Sequence, residues 1–114
     1  MNENVTQMIP LLPVADLTRT LMYYQEIFRC GIEWNWEDQL ACVSRDGVSI
    51  TFSKEANPAK ITCFIKVGDL DKVYNDCRTA GVKIVDEPQT KPWQLREFTV
   101  VDNNGHQFRI FSST

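Results

Sequence analysis

The sequence has little of the material from which metal and redox sites are built. Its 114 residues include one histidine, His106, and its four cysteines form no CxxC pair. Zinc sites use closely spaced Cys and His ligands, so this scarcity argues against one. The cysteines are Cys30, Cys42, Cys63 and Cys77, and each lies in an apolar or amphipathic segment. We therefore expect buried free thiols.

The sequence also lacks a basic cluster and a long hydrophobic run. Its formal net charge is −3 and its Lys and Arg residues are scattered, whereas phosphate binding needs a concentrated basic face. The apolar stretches are far shorter than a membrane span, and the polar start MNENVTQ has no signal-peptide form. We expect a cytoplasmic protein that binds neither nucleic acid nor membranes. With 43% apolar residues, residues 1–114 should form one compact domain.

The chain contains an internal repeat. The stretch LPVADLTRTLMYYQEIFRCGIEW, residues 12–34, resembles IKVGDLDKVYNDCRTAGVKIV, residues 65–85. Each reads as an apolar strand, a Val-x-Asp-Leu motif, a helical pattern, a glycine and a further strand. Asp16 and Asp69 are predicted to be helix N-caps. Gly31 and Gly81 are predicted to close the two helices in the left-handed conformation.

The repeat continues beyond each helix as three strands. The predicted strands are 32–37, 40–45 and 48–53 in the first half, and 82–87, 95–102 and 106–112 in the second. Asp46-Gly47 and Asn103-Asn104-Gly105 are predicted turns. The chain is therefore predicted to be a βαβββ module at about 8–55 and a second at about 60–113, joined near 56–59. Neither half-sized module can bury a core alone, so we expect the two to pack together or across a dimer.

These features resemble the vicinal oxygen chelate superfamily, which contains the glyoxalase, bleomycin-resistance and extradiol dioxygenase families. The resemblance is carried by Val14-Ala15-Asp16-Leu17 with Tyr23-Tyr24, by Pro92-Trp93, by Arg96-Glu97-Phe98 and by the turn at 102–106. It is strongest to the bleomycin-resistance group, whose Pro-Trp-Gly-x-Arg-Glu-Phe stretch has Gly where this chain has Gln94. The resemblance implies an α+β fold in which two tandem βαβββ modules form a cupped mixed sheet.

The resemblance also locates the positions at which the superfamily's enzymes hold a divalent metal. These enzymes take one ligand from the first strand and one from the last strand of each module. The corresponding residues here are Ile9, Thr51, Thr62 and Arg109. None of these side chains is a competent metal ligand, and the charge of Arg109 repels a cation. We therefore expect no metal, no other cofactor and no assignable catalytic residue.

Ligand binding is the role that the remaining residues favour. Tryptophan faces suit the stacking of a heteroaromatic group, and Arg109 with the two threonine hydroxyls would orient polar groups. The candidate ligand-binding residues are Trp34, Trp36, Thr51, Thr62, Phe64, Trp93 and Arg109. Two alternatives stay open: the tryptophans build a core or subunit interface, and Arg109 pairs internally with Glu97 or Glu33. By strand alternation His106 faces away from Arg109. We therefore do not include His106 among the candidate functional residues.

Three functions follow from these residues. The favoured one is a metal-independent binding protein, a homodimer that sequesters a small molecule in a cleft at the dimer or module interface. The alternative is an enzyme of lyase, isomerase or dioxygenase type, with Glu97 as base and Arg109 as anion clamp. The third is a partner-binding module whose cavity has filled in. Fold alone does not separate them.

Overall fold

The computed structural model describes residues 3–113 and contains the ten predicted elements in the predicted order. The first module consists of β1 (Leu11–Val14), α1 (Leu17–Glu26), β2 (Gly31–Trp36), β3 (Leu40–Arg45) and β4 (Val48–Lys54). The second consists of β5 (Thr62–Lys66), α2 (Leu70–Ala80), β6 (Lys83–Thr90), β7 (Leu95–Val101) and β8 (Gln107–Ser113). The chain divides into two compact units between Ala59 and Lys60. Each unit is described by itself below.

Each module is a four-stranded mixed sheet with one helix. The strand orders are β1-β4-β3-β2 and β5-β8-β7-β6. In both sheets the first strand of the module lies parallel to the last, and the other pairings are antiparallel. This confirms the predicted α+β fold of two βαβββ modules.

The helix of each module covers one face of its sheet. In the first module the Tyr24 ring lies 4.7 Å from the Phe52 ring, and in the second Tyr74 lies 5.2 Å from Phe98. The buried apolar residues of these helix-covered faces include Leu12, Val14, Leu17, Leu21, Ala41 and Val43 in the first module, and Leu70, Cys77, Val100, Phe108 and Ile110 in the second. Alternate residues of each strand therefore point to the opposite face, which we call the open face.

Asp caps begin both helices, as predicted. The carboxylate of Asp16 accepts from the backbone N–H of Arg19 at 3.0 Å, and Asp69 accepts from Lys72 N–H at 3.1 Å. Gly81 ends α2 in the left-handed conformation at φ 82°, also as predicted. These bonds satisfy amides and carbonyls that a helix end leaves without partners.

The predicted helix closure at Gly31 is wrong. Helix α1 ends at Glu26, its C-cap Ile27 is right-handed, and Gly31 is the first residue of β2. The left-handed residue of this connection is Arg29, at φ 59°. A bond from Cys30 N–H to the Tyr24 carbonyl, 2.9 Å long, closes the wider turn. The chain thus reverses two residues earlier than the glycine indicated.

The predicted hairpin turn at Asp46-Gly47 is confirmed. Asp46 and Gly47 both have positive φ, at 51° and 81°, and connect the paired residues Arg45 and Val48. This is a two-residue type I′ hairpin, whose twist suits antiparallel strands.

The strand β6 extends beyond its predicted end at residue 87, to Thr90. The extension contains Pro88, and proline is uncommon inside a strand. Because β6 is an edge strand, a residue without an N–H is tolerated there. The register also shifts between Asp86 and Gln89, so the extension is irregular.

The four cysteines are free thiols. Cys42 and Cys77 are buried as predicted, whereas Cys30 and Cys63 are only half-buried. Burial raises the pKa of Cys30, Cys63 and Cys77, which disfavours their reactive thiolate forms. Neither helix within residues 3–113 has the length and apolar character needed to cross a membrane.

Candidate ligand-binding site

Arg109 lies at the centre of the open face of the second sheet. It pairs across the sheet with Phe64 of β5 on one side and Thr99 of β7 on the other. Its neighbours on β8, Phe108 and Ile110, are buried on the helix-covered face. Strand alternation therefore directs Arg109 to the opposite face, as the sequence predicted.

Glu97 of β7 holds the Arg109 guanidinium. Arg109 Nε donates to Glu97 Oε2 at 2.9 Å, and Nη2 donates to Oε1 at 3.2 Å. The indole Nε1 of Trp93 donates to the same Oε1 at 2.8 Å. Glu97 is only 1% exposed, whereas the Arg109 side chain is 32% exposed. Three charge-assisted hydrogen bonds thus compensate the buried carboxylate, and of the two acidic partners considered for Arg109, Glu97 is the one that binds it.

The hydrogen bonds keep this pair ionised. Burial of Glu97 raises its pKa, but the hydrogen bonds from Arg109 and Trp93, with the charges of Arg109 and Lys91, outweigh burial and leave the pKa below its ordinary value. The hydrogen bond to Glu97 raises the pKa of Arg109. A carboxylate with a lowered pKa and both oxygens engaged is a weak general base. The pair nominated for catalysis is therefore close together, but its geometry does not suit proton abstraction.

Aromatic rings flank the guanidinium. Arg109 Cζ lies 4.6 Å from the ring centroid of Phe64 and 5.4 Å from that of Trp93. The Phe64 ring meets Phe111 edge-on, with centroids 4.8 Å apart. Phe64 is 49% exposed and Trp93 is 51% exposed. We call Phe64, Trp93, Glu97, Arg109 and Phe111 the Arg109 cluster; it presents two aromatic surfaces beside a fixed cation.

A tight turn before β7 positions Trp93. The backbone N–H of Gln94 donates to the Lys91 carbonyl at 3.0 Å, and Lys91 N–H donates to the Leu95 carbonyl at 2.8 Å. Gln94 has φ 72°, in the left-handed region that favours glycine. The bleomycin-resistance pattern has Gly at the corresponding position, and Gly adopts this conformation without strain. In this chain the turn forms despite the unfavourable residue.

A second ion pair lies beside the cluster. Lys91 Nζ contacts Asp86 Oδ2 at 2.7 Å, and the Lys91 side chain is 18% exposed. Asp86 pairs with Thr99 across the sheet, one step from Arg109. Two acidic and two basic groups therefore balance in this part of the open face.

The first module carries the other predicted aromatic residues. Trp34 and Trp36 share the open face of the first sheet, since they pair with Cys42 and Leu40 of β3. Cys42 pairs in turn with Thr51, so Trp34 and Thr51 belong to one row across the sheet. Trp34 is 46% exposed and Trp36 is 60% exposed. Their part in binding stays a prediction.

Thr62 and His106 take different positions in the second module. Thr62 is exposed on the open face, two residues from Phe64. His106 is buried, and its Nδ1 accepts from Ile61 N–H at 2.9 Å. Its own backbone N–H donates to Asp102 Oδ1 at 2.9 Å. His106 thus braces the start of β5 and the turn before β8.

The positions at which superfamily enzymes hold a metal do not fit one here. Ile9 has no donor atom, and Thr51 and Thr62 offer only neutral hydroxyls. Arg109 places a cation where a ligand would be needed, and it is already paired with Glu97. Among residues 3–113, no three His, Cys, Asp or Glu side chains lie close enough together to hold a metal ion.

A cavity of about 240 Å³ lies at the start of α1. It is lined by Ala15, Asp16, Leu17, Thr18, Asp38 and Lys54. None of the predicted site residues belongs to it, and the Asp16 carboxylate already caps the helix. It is smaller than the roughly 300–1,000 Å³ of typical ligand pockets. We assign it no ligand.

Two features of this site, the contact between Phe64 and Phe111 and the Lys91–Asp86 ion pair, were not predicted from the sequence. Phe111 follows Arg109 by two residues, so alternation placed it on the same face, but its contact with Phe64 depends on how β5 pairs with β8. The Lys91–Asp86 pair arises from the irregular end of β6, which no sequence signal indicated.

Comparison with known proteins reveals the same fold in proteins of different activity. The bleomycin-binding protein complexed with bleomycin is 20% identical, with a TM-score of 0.84 over 96% of this chain and 100% of that one. The bleomycin-binding protein from bleomycin-producing Streptomyces verticillus, complexed with copper(II)-bleomycin, is 17% identical, with a TM-score of 0.78 over 97% and 98%. The lactoylglutathione lyase from Agrobacterium tumefaciens is 12% identical, with a TM-score of 0.77 over 97% and 96%.

At these identities the structural likeness establishes the fold alone. Comparison with curated proteins finds no match. The family model for the Glyoxalase/Bleomycin resistance protein/Dioxygenase superfamily matches residues 7–110, which is nearly the whole chain. The chain belongs to the Glyoxalase/Bleomycin resistance protein/Dioxygenase superfamily.

Proposed function

We propose that this chain is a metal-independent binding protein that sequesters a small molecule carrying a planar, heteroaromatic group. The observation that carries the proposal is the Arg109 cluster. Phe64 and Trp93 are half-exposed beside a guanidinium that Glu97 holds in place. Large aromatic surfaces around a few fixed polar groups are typical of ligand sites.

Binding in this proposal depends on complementarity rather than chemistry. A planar group stacks on Trp93 or Phe64, where each aromatic pair is worth about 0.5–1.5 kcal/mol beyond the area it buries. Arg109 orients an acceptor atom of the ligand, and the Thr62 hydroxyl, on the same face, offers a second polar contact. Because Trp93 is fixed by its bond to Glu97, little side-chain entropy is lost on binding.

The misfit of the metal positions supports the metal-independent form of this proposal. Lactoylglutathione lyase from Agrobacterium tumefaciens has the same fold, so the fold leaves both enzyme and binding protein open. The ion pair between Arg109 and Glu97 supports a site without a metal, since the resemblance aligns Arg109 with a metal-ligand position. Two solved structures of similar fold are bleomycin-binding proteins with bound bleomycin. We therefore propose antibiotic sequestration as the role of this chain.

The proposal includes a second surface that closes over the ligand. We propose that it comes from the first module or from a second copy of the chain, as a homodimer in the cytoplasm. Trp34, Trp36 and Thr51 are the residues assigned to that surface. Size-exclusion chromatography with light scattering tests the homodimer.

Tryptophan fluorescence titration tests the proposed function. The protein is treated with a chelator and titrated with metal-free bleomycin and with a panel of planar heteroaromatic compounds. We expect saturable quenching by at least one planar compound, and its loss in Trp93→Ala. Arg96→Gln, which alters an ion pair with Asp71 outside the Arg109 cluster, is the control and should keep the quenching. Absence of any response from the folded wild type, or a response that requires added divalent metal, contradicts the proposal.

A further inference from the structure

We infer that Glu97 determines the specificity of the Arg109 cluster, so that the site takes a neutral planar group and rejects a carboxylate. The inference rests on the proposed function, because it names the chemical class of the ligand group held there. Glu97 acts in two ways. It neutralises Arg109, and it fixes the Trp93 indole by a hydrogen bond.

Arg109 already has the partner that an anionic ligand would supply. Its Nε and Nη2 groups both donate to the Glu97 carboxylate, the bidentate arrangement in which Arg binds carboxylates best. To form this bidentate arrangement a ligand carboxylate would have to displace Glu97, which is 1% exposed and cannot reach water without rearrangement. A buried carboxylate left without its partner is strongly unfavourable.

The surrounding charges do not restore an attraction for anions. Asp86 is paired with Lys91, and the charge of Asp86 also acts on Arg109. Asp86, Lys91, Glu97 and Arg109 therefore sum to zero. Lys66 lies on the same face at the end of β5, but it is exposed and its charge is screened by water.

What the cluster still offers suits a neutral group. Among residues 3–113 no acceptor is bonded to Nη1 of Arg109, so its two N–H groups can donate to a ligand carbonyl or ring nitrogen. The rings of Phe64 and Trp93 offer their exposed surfaces for stacking. A carboxamide or heteroaromatic ring with one acceptor atom uses both features without displacing Glu97.

Two probes of one shape and different charge test this. The wild type is titrated with 2-naphthamide and with 2-naphthoate at neutral pH, followed by the NMR signal of the Trp93 indole N–H. We expect the naphthamide to bind at least about tenfold more tightly than the naphthoate, because Glu97 already neutralises Arg109 and the naphthoate charge gains no ion pair. Tenfold corresponds to about one hydrogen bond. Equal or tighter binding of naphthoate overturns the inference, and so does a wild type that binds neither probe.

The variant Glu97→Gln should weaken or remove this preference. Its amide has one acceptor oxygen and no charge, so Arg109 becomes available to the naphthoate carboxylate. We expect naphthoate affinity to rise by about tenfold, and the Trp93 indole signal of the free protein to move. Arg96 is the residue before Glu97 and pairs with Asp71 at the surface. In the control Arg96→Gln, the naphthoate affinity and the Trp93 indole signal should both stay as in the wild type.

An unchanged preference in folded Glu97→Gln overturns the inference. The wild-type comparison needs no variant, so it decides the question even where Glu97→Gln does not fold. Binding of metal-free bleomycin by the wild type separates a failure of this inference from a failure of the proposed function. A wild type that binds metal-free bleomycin but prefers naphthoate, or binds neither probe, keeps the proposed function and loses this inference.

Discussion

Arg109 and Glu97 meet side by side, with Nε to Oε2 at 2.9 Å and Nη2 to Oε1 at 3.2 Å. The resemblance to the superfamily aligns Arg109 with the last-strand position at which its enzymes hold a metal ligand. In this chain the charge of Arg109 is balanced by the buried Glu97. The chain belongs to the superfamily, and we propose that it binds its ligand without a metal ion.

Arg109→Ala should destabilise the second module. It leaves Glu97 buried with one donor, Trp93, in place of three hydrogen bonds. Because Arg109 is partly exposed, we expect a loss of about 1–3 kcal/mol in the free energy of unfolding, measured by urea denaturation. Arg96→Ala breaks an exposed pair and should cost less than about 1 kcal/mol. If the two variants lose equal amounts of unfolding free energy, the buried Glu97–Arg109 pair stabilises the protein no more than the exposed pair, which would contradict this prediction.

Stability should fall as acid protonates Glu97. Burial raises its pKa, but the bonds from Arg109 and Trp93 and the charges of Arg109 and Lys91 leave the folded-state value below the unfolded one of about 4.3. The stability that ionised Glu97 adds to the folded protein is therefore present above the unfolded-state pKa and is lost as the pH falls through the folded-state pKa. Urea midpoints from pH 7 to pH 3 should fall more steeply for the wild type than for Glu97→Gln. Parallel curves contradict this.

Gln94→Gly should stabilise the protein. Gln94 is held at φ 72°, which costs a non-glycine residue about 1–2 kcal/mol. Glycine removes this strain but adds backbone freedom to the unfolded chain, about 0.5–1 kcal/mol. We expect a net gain of about 0.5–1 kcal/mol in thermal or urea unfolding. Gln94→Ala keeps the strain and is the matched control; a gain for Ala equal to that for Gly would refute the argument.

Asp102→Ala should open the turn that leads into β8. One Asp102 oxygen accepts from the backbone N–H of Asn104 and of His106, both at 2.9 Å. Asp102 is buried, so its replacement removes both of these hydrogen bonds and should cost about 1–3 kcal/mol. Hydrogen exchange at His106 should accelerate. Asn103→Ala, at the exposed neighbouring position, should have a much smaller effect.

Much of the fold could be predicted because its signals are local. The Val-x-Asp-Leu repeat located both helices, and alternation assigned Arg109 and His106 to opposite faces. Asp46-Gly47 specified its own turn chemistry. The closure at Gly31 failed because glycine permits the left-handed conformation without requiring it, and Arg29 adopts it in this chain.

The details of the site were less accessible. Both Glu97 and Glu33 were candidate partners of Arg109, and the choice depends on tertiary contacts. The register of β7 against β8 sets Thr99 opposite Arg109, and Glu97 reaches the guanidinium from two residues along. Glu33 instead accepts from the hydroxyl of Ser44. No local pattern encodes such a choice, because register is decided by the packing of both faces.

Native mass spectrometry of the chelator-treated protein with metal-free bleomycin tests whether the chain binds its ligand without a metal ion. The mass of the complex reports the ligand and any metal together. We expect a complex of protein and ligand that contains no metal ion and is lost in Trp93→Ala. A ligand retained only when the folded protein also holds a divalent ion would contradict it.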